Sequence, residues 1–281
     1  MNDLLTIVFV SFYSEKKILD YLKYFNNNFK IIIVDNANDL NLEDKLQGFS
    51  ILKIINNKEN IGFGAALNKG LEIVKTKYAM HLDIDTKFEI SSINKMIEEA
   101  EKVKDFAILG PKISNYAYKN NHFIKKKYEN NYNLMKYMEG CCLFFNLSEI
   151  KKIGFFDENF FLYFEEVDLV TRCLKKSLKV IMIEDINIEH IGGASVREEF
   201  NNEIEINRNW HYMWSKFYYF KKHSGYFYAL LQVSKHIISG LLKFIYYSIF
   251  KNDKKKIIYK ARLSGCINSI LLKKSWFRPK I

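Results

Sequence analysis

The stretch Tyr78–Asp85 reads YAMHLDID and joins an apolar strand to two closely spaced acidic residues. A mostly apolar run of this length is typical of a strand that is covered on both faces of a sheet. Asp83 and Asp85 follow where such a strand leaves the sheet, which is the edge at which open α/β sheets bind ligands. Paired carboxylates there suit Mg²⁺ or Mn²⁺, which in turn bind diphosphate oxygens. An ordinary acidic turn remains the alternative interpretation.

Apolar strands and helices alternate on both sides of this stretch. Short β-branched runs predict strands, and apolar residues spaced three to four apart predict the helices between them. The predicted strands are Leu4–Val10, Ile31–Val34, Ile51–Ile55 and Tyr78–Leu82, and a helix is predicted to open at Ser91. This alternation predicts right-handed crossovers and a mainly parallel sheet covered by helices.

The second half of this domain has a less regular pattern. Asn115–Asn133 is polar and rich in lysine, and we expect it to form an exposed excursion. Further strands are predicted at Met138–Phe145 and Leu178–Ile183, with a helix at about Phe164–Lys176 between them. The expected α/β domain spans residues 1–215.

The remaining segment, residues 216–281, differs sharply in charge. It holds 15 of the 43 Lys and Arg residues and one of the 32 acidic residues, which gives it a net charge of +14. Residues 1–215 carry −3. Such asymmetry indicates an anionic partner, either nucleic acid or lipid headgroups.

An apolar segment, Tyr226–Phe250, lies within this basic tail. Its polar residues recur every three or four positions and form one stripe on a helix. Lys235 and Lys243 in its middle argue against a membrane span. An amphipathic helix lying among lipid headgroups accounts for both features, and a helix packed on the catalytic domain is the alternative. We expect residues 216–281 to form an amphipathic helical tail on an anionic membrane surface.

The cysteines and the N-terminus bear on the compartment. The four cysteines fit neither a metal knuckle nor a disulfide framework, so we expect them to be reduced and buried, as in cytosolic proteins. The sequence runs from Met1 directly into an apolar strand, without a basic region or a cleavage site. We therefore expect no export signal.

Four further motifs carry polar groups. Asp35 ends the second strand and suits a ribose hydroxyl or a base N–H, although a turn cap is equally compatible. Asn60–Gly70 has small residues that allow close approach to a ligand, but it matches neither a Walker loop nor a dinucleotide fingerprint. Gly154–Leu169 sets acidic residues among aromatic ones, which suits a general base of raised pKa, although a plain charged helix start is equally compatible. His190 precedes Gly192 and suits a ligand or phosphate contact, with a structural histidine as the alternative.

In order and spacing, these motifs resemble those of the family-2 nucleotide-sugar glycosyltransferases, especially the rhamnosyltransferase-like branch. The resemblance covers roughly residues 4–195. The matching segments are Val10–Tyr13, Val34–Asn36, Asn60–Gly70, Leu82–Asp85, Phe156–Leu169 and His190–Gly193. It implies a GT-A fold, in which a Rossmann-like, mixed and mainly parallel sheet is flanked by helices, here followed by the amphipathic tail.

The resemblance also implies a role for individual residues. Glu166 stands where the family has an Asp as catalytic base, and because Glu is one methylene longer, Asp168 and Glu165 remain alternatives. Asp85, Asp83 and His190 would hold Mg²⁺ or Mn²⁺. The residues implied to bind the nucleotide sugar are Phe12, Asp35, Asn60, Gly62, Asn68 and Asp83.

The implied activity is that of an inverting, metal-dependent hexosyltransferase. A nucleoside diphosphate sugar would donate rhamnose or another hexose to a hydroxyl of a lipid-linked or polysaccharide acceptor. The enzyme would be cytoplasmic and peripheral on the inner face of the cell membrane.

Two other classes of function are compatible with parts of the sequence. A sugar-nucleotide nucleotidyltransferase would need a glycine-rich, basic loop after its first strand, where Ser11–Glu15 stands instead. A nucleic-acid-binding module would explain the Tyr and Lys residues of Tyr218–Lys222. The larger domain is acidic and has no nucleic-acid motif, so we expect no nucleic-acid partner.

Overall fold

The computed structural model describes residues 3–25, 28–39, 41–129, 131–192 and 200–279. Within these ranges ten strands form one sheet. The strands are β1 (Leu5–Ser11), β2 (Lys30–Asp35), β3 (Lys53–Asn56), β4 (Tyr78–Leu82), β5 (Thr86–Lys87), β6 (Phe106–Ile113), β7 (Phe123–Glu129), β8 (Tyr132–Met135), β9 (Cys142–Asn146) and β10 (Lys179–His190). The α-helices are α1 (Glu15–Phe25), α2 (Leu42–Lys45), α3 (Phe63–Glu72), α4 (Ile90–Lys102), α5 (Leu147–Ile153), α6 (Glu165–Lys175), α7 (Asn201–Ser224), α8 (Tyr226–Ile249) and α9 (Asp253–Ile270).

The strand order in the sheet is β3-β2-β1-β4-β9-β6-β10-β8-β7, and β5 pairs with β10 outside this path. The first four strands in that order are parallel. β9 runs antiparallel to β4 and β6, while β6 and β10 are parallel to each other. The sheet is therefore mixed and mainly parallel, as predicted.

Two apolar layers cover the sheet. Ile7 and Phe9 of β1 point to one face and pack with α1, α2 and α4. Val8, between them, points to the other face and packs with α3, α5 and α6. Because successive side chains of a strand point to opposite faces, a strand buried on both sides is apolar throughout. This is the pattern that identified β1 and β4 in the sequence.

The expected exposed excursion at Asn115–Asn133 is in fact partly β-structure. Its end forms β7 and, with the residues that follow, β8, an antiparallel hairpin on the edge of the sheet. Lysines along β7 are exposed, as predicted, but Tyr132 and Asn133 of β8 are buried. The polar composition concealed this hairpin because β7 has an open face, and edge strands commonly carry lysine.

The chain forms two compact units. One comprises Met1–Phe156 with Glu166–Val196, and the other comprises Asp157–Glu165 with Arg197–Ile281. The boundary expected at residue 215 lies inside α7, which is continuous from Asn201 to Ser224. The sequence becomes strongly basic near residue 215. The helical unit begins earlier, because α7 packs against α8 and α9.

The second unit is helical. Trp210, Trp214 and Phe217 of α7 are buried within it. None of the described helices is both long enough and apolar enough to cross a membrane. All four cysteines of the protein are buried and free, as predicted.

Candidate active site

Asp83, Asp85 and His190 meet at one edge of the sheet. One ligand atom from each lies within 4.8 Å of those of the other two. His190 Nε2 is 3.1 Å from Asp85 Oδ1 and 3.7 Å from Asp83 Oδ2. The hydrogen bond to Asp85 and the nearby carboxylate charges raise the pKa of His190. Three donors that the sequence separates widely therefore share one site.

Backbone pairing holds these residues in place. After β4 ends, the chain turns through Asp83–Asp85 into the short strand β5, where Thr86 pairs with His190 of β10. The backbone N–H of Ile191 also donates to the carbonyl of Asp85, at 3.0 Å. The two-residue strand β5 thus fixes the histidine against the acidic turn. Gly193 of the predicted His190–Gly193 motif lies outside the described residues.

His81 orients Asp83 from within the sheet. Its Nε2 is 3.0 Å from Asp83 Oδ1, and its Nδ1 is 3.1 Å from the carbonyl oxygen of Val8. The imidazole is buried, and the edge of the Phe63 ring packs against it. The sequence analysis gave His81 no role. The alternation of side chains along a strand, which places residues 81 and 83 on one face, was the available indication.

Tyr21 supports the same turn from α1. Its hydroxyl donates to the carbonyl of Thr86 and lies 3.4 Å from that of Asp83. The backbone N–H of Asp83 donates to the carbonyl of Cys141, at 2.8 Å. The acidic turn is therefore anchored from α1 and from the start of β9. Tyr21 escaped the sequence analysis because its partners lie more than 60 residues away.

The donor set fits a hard divalent cation. Carboxylate oxygens are preferred by Mg²⁺ and Mn²⁺, and imidazole adds a donor that manganese also accepts. The side chain of Asp85 is 3% exposed, whereas those of Asp83 and His190 are 33% and 31% exposed. The cluster is thus anchored on one side and open to solvent on the other, as a site shared with a substrate must be.

Asp35 and Phe12 follow the neighbouring strands β2 and β1. Asp35 is fully buried, and its two oxygens accept hydrogen bonds from the backbone N–H groups of Ala37 and Asp39, at 3.1 and 2.7 Å. Burial raises the pKa of Asp35. Phe12 is half-buried and packs edge-on against Tyr13. Asp35 therefore shapes the loop that follows β2, and its contact with a nucleoside stays a prediction.

A network of amide side chains joins this loop to the start of α3. Asn36 donates to Asn60 Oδ1, at 2.8 Å, and to the carbonyl of Gly62, at 3.2 Å. The Asn57 amide donates to Asn36 Oδ1 at 3.1 Å. Asn57 Oδ1 accepts a hydrogen bond from the Lys69 ammonium at 2.6 Å. Gly62 has a φ of 94°, a backbone angle that residues other than glycine rarely adopt. Asn60 and Gly62 therefore belong to one rigid loop at the edge of the sheet.

Asn68 does not lie in that loop. Its side-chain amide donates to the carbonyl of Phe156, at 2.9 Å, and its oxygen accepts from the backbone N–H of Phe156, at 3.0 Å. It is also buried. The Asn68 amide thus fixes Phe156, and its contact with the sugar donor stays a prediction.

Glu166 lies in the first turn of α6. Glu166 is half-buried and lies beside Gly140. A Cβ added to Gly140 would be 3.8 Å from Glu166 Cγ. Burial raises the pKa of Glu166 to about 7, with contributions from the charges of Glu139 and Asp83. A carboxyl group of this pKa can take up a proton near neutral pH, as a general base requires.

The first alternative base, Asp168, forms an ion pair with an arginine. It is fully buried, and Arg172 Nε donates to its Oδ2 at 2.8 Å. The same guanidinium donates to the carbonyls of Ile153 and Gly154. Asp168 thus serves to hold Arg172 against the turn that precedes residue 155. Glu165, the second alternative, is 5% exposed and opens α6.

Cavities do not all coincide with this site. One of about 360 Å³ is lined by Asp85, Thr86 and Ile191 together with residues of α1. Another, of about 590 Å³, lies at the amino ends of β6 and β10 and contains none of the predicted residues. Ligands of parallel sheets bind at the carboxyl ends of strands, so the first cavity is the one adjoining the candidate site.

The sequence matches the model of glycosyl transferase family 2 over residues 6–170. That range contains every candidate residue except His190. No curated protein sequence matches the chain.

Solved structures with a similar fold include three with bound ligands or ions. A mannosyltransferase from Pyrobaculum calidifontis, in complex with GDP-Man and Mn²⁺, is 12% identical, with a TM-score of 0.62 over 96% of this chain and 88% of that one. S. aureus TarS residues 1–349, in complex with UDP-GlcNAc, is 14% identical, with a TM-score of 0.53 over 98% and 94%. GalNAc-T7 with UDP, GalNAc and Mn²⁺ is 12% identical, with a TM-score of 0.55 over 84% and 57%.

Proposed function

Because the chain belongs to glycosyl transferase family 2, we propose that it moves a hexose from a nucleoside diphosphate sugar to an acceptor hydroxyl, with inversion at the anomeric carbon. The convergence of Asp83, Asp85 and His190 at the carboxyl end of β4 carries the proposal. The solved structures of similar fold contain GDP-Man, UDP-GlcNAc and Mn²⁺, which supports a donor and a cation of these classes.

The donor would lie across the loops that follow β1, β2, β3 and β4. Phe12, Asp35, Asn60 and Gly62 supply aromatic, carboxylate, amide and backbone contacts to the nucleoside. Asp83, Asp85 and His190 would hold Mg²⁺ or Mn²⁺, which when bound would neutralise the leaving diphosphate.

Glu166 would act as the base. Its carboxylate takes the proton of the acceptor hydroxyl while that oxygen forms a bond to the anomeric carbon. The bond from this carbon to the diphosphate oxygen breaks on the opposite face, which inverts the configuration. The raised pKa of Glu166 supports this role, since a base works best when its pKa lies near the operating pH.

We further propose a lipid-linked or polysaccharide acceptor at the inner face of the cell membrane, with the protein cytoplasmic and peripheral. Support comes from α8, which exposes large apolar side chains along its length, including Phe227, Leu231, Ile238, Leu242 and Ile249. The surrounding segment is strongly basic, which complements anionic lipid.

Removal of divalent cations tests the activity. With a panel of nucleoside diphosphate sugars and Mn²⁺, we expect transfer from one donor, loss of that transfer with EDTA, and recovery when Mn²⁺ is added in excess. Asp85→Ala should show the same loss without recovery. Asp44→Ala, an exposed acid on α2, is the matched control. Transfer that persists undiminished in EDTA contradicts the cation's role, and failure with every donor contradicts the proposed activity.

A further inference from the structure

The helical unit contains a cavity outside the candidate active site. Its volume is about 560 Å³. It is lined by Tyr163, Asn201, Ile204, Glu205, Arg208, Asn209, Tyr212, His236 and Arg262. Side chains of α7, α8 and α9 and of the segment before α6 therefore all face one space, and most of them carry polar groups.

The charges around this cavity are unbalanced. Arg208 and Arg262 both line it, and Lys216 lies beside it with its Nζ 2.6 Å from His236 Nε2. No described carboxylate forms an ion pair with either arginine or with Lys216. Glu205 is the one acid in the lining, and its carboxylate is 3.4 Å from the ammonium of Lys254.

Burial and neighbouring positive charge both disfavour the charged forms of Lys216 and His236. Burial lowers the pKa of Lys216, and the nearby charge of Arg262 lowers it further. The pKa of His236 is lowered by burial, then by Lys216 and Arg262. Like charges held together cost free energy unless an anion compensates them. The cluster is therefore prepared to receive negative charge.

One guanidinium is already fixed in place. Arg262 donates from Nη1 to Asn209 Oδ1 at 2.9 Å and stacks over the Tyr212 ring at 5.8 Å. Tyr212 in turn packs against Tyr163, at 5.8 Å between ring centroids. Arg208, by contrast, makes no hydrogen bond or ion pair with the described residues. A planar guanidinium with free N–H groups matches the oxygens of a phosphate group.

We propose that this cavity binds the phosphate group of a phosphate monoester. The two arginines would contact the phosphate oxygens, and the polar lining of the cavity would surround the group that the phosphate esterifies. The inference goes beyond the proposed transferase activity, since binding requires neither a sugar donor nor a cation.

Farnesyl phosphate is a suitable probe, and its affinity can be measured by calorimetry on the full chain in EDTA. We expect saturable binding that Arg208→Gln weakens about tenfold to a hundredfold, since a charge-assisted hydrogen bond contributes about 1.5–3 kcal/mol. Arg208→Gln together with Arg262→Gln should abolish it. Lys260→Gln is the matched control, because it removes the same charge from an exposed position of α9 and should leave the affinity nearly unchanged.

Vesicles identify the source of the phosphate. The same variants are tested for flotation with phosphatidylcholine vesicles that contain phosphatidic acid. If Arg208→Gln weakens only farnesyl phosphate binding, the site takes a free phosphate monoester, and if it weakens flotation as well, the site also takes membrane phospholipid. If Arg208→Gln behaves like Lys260→Gln in both assays, the proposal is wrong. The single variant suffices should the double variant not fold, because Arg208 forms no described polar contact.

Discussion

The surroundings of Glu166 determine what its carboxyl group can do. It lies in the first turn of α6, where backbone N–H groups stabilise a carboxylate, yet burial and the charges of Glu139 and Asp83 oppose ionisation. The opposing influences leave its pKa at about 7 rather than in the ordinary range of a glutamic acid. Asp168, only two residues away, is committed to Arg172.

Glu166→Gln should lower turnover by about 10²- to 10⁴-fold, which is the usual contribution of a general base. Donor binding should persist, because glutamine keeps the size of the side chain and the nucleotide contacts lie elsewhere. Steady-state rates and donor binding by calorimetry measure the two effects separately. Glu165→Gln is the control, and a loss of turnover in that variant instead of Glu166→Gln would reassign the base.

The pH dependence of kcat/KM tests the role of Glu166 independently. A base acts as its anion, so kcat/KM should rise with pH and reach half its maximum near pH 7, where Glu166 is half ionised. The rising limb should disappear in Glu166→Gln, which has no carboxyl group to titrate. A limb that persists in this variant belongs to another group.

The positions of some site residues could be predicted from the sequence, whereas the contacts of others could not. Asp83 and Asp85 follow a strand that is mostly apolar, so their position at the edge of the sheet was predictable. The contact of Asn68 with Phe156 was not predictable. The two residues are 88 positions apart, and an amide side chain can contact backbone and ligand equally well. His81 was also missed, since its role depends on the strand beside it, where Val8 accepts a hydrogen bond.

At the level of elements, close helix packing depends on glycine. In the helical unit, α9 approaches α7 so closely at Gly265 that a Cβ there would overlap the backbone carbonyl of Trp210. Backbone atoms cannot move aside without shifting a helix. Gly240 in α8 is less constrained, because its nearest neighbour is Leu263 Cδ2, the end of a flexible side chain, at 3.2 Å.

Gly265→Ala should therefore destabilise the helical unit by about 1–3 kcal/mol, as overpacking of a well-filled interior does. Gly240→Ala is the matched control. There alanine favours the helix by up to about 1 kcal/mol, which offsets the small shift required of Leu263. The midpoint of thermal unfolding for each variant measures the difference. Equal midpoints would contradict the close approach of α7 and α9.

Elements were predictable where one periodicity dominated. The strands β1, β2 and β4 and the helices α4 and α6 lie close to their predicted positions, because both faces of the sheet are covered. β5 was not predicted, since two residues are too few to show a period, and its existence depends on pairing with β10. β9 begins at Cys142 rather than Met138, because its pairing with β4 starts there, opposite Leu82, and Glu139 and Gly140 interrupt the apolar pattern before it.

For the whole molecule, the dominant feature is the segregation of charge. Residues 216–281 carry +14 and residues 1–215 carry −3. This asymmetry could be counted directly in the sequence, whereas the extent of the helical unit could not, because it depends on packing along α7. The basic segment includes α8 with its exposed apolar side chains. Together these properties favour adsorption to an anionic bilayer over binding of charge alone.

The protein should float with vesicles that contain phosphatidylglycerol and much less with phosphatidylcholine alone. Leu231→Glu combined with Leu242→Glu should reduce flotation strongly, since it places acidic groups in the apolar face of α8. Leu52→Glu is the control for an exposed leucine outside the helical unit, at 57% exposure against 63% for Leu242. Sedimentation separates bound from free protein. Flotation of the double variant at the level of Leu52→Glu would contradict the membrane assignment.

The pairing of β5 with β10 also has a consequence for biosynthesis. His190 lies 105 residues after Asp85, so a nascent chain exposes both aspartates long before its histidine leaves the ribosome. Chains are made from the N-terminus at roughly 5–20 residues per second. The acidic turn therefore lacks its third donor for roughly 5–20 seconds of synthesis, and a cluster of all three donors can form only after β10 has been translated.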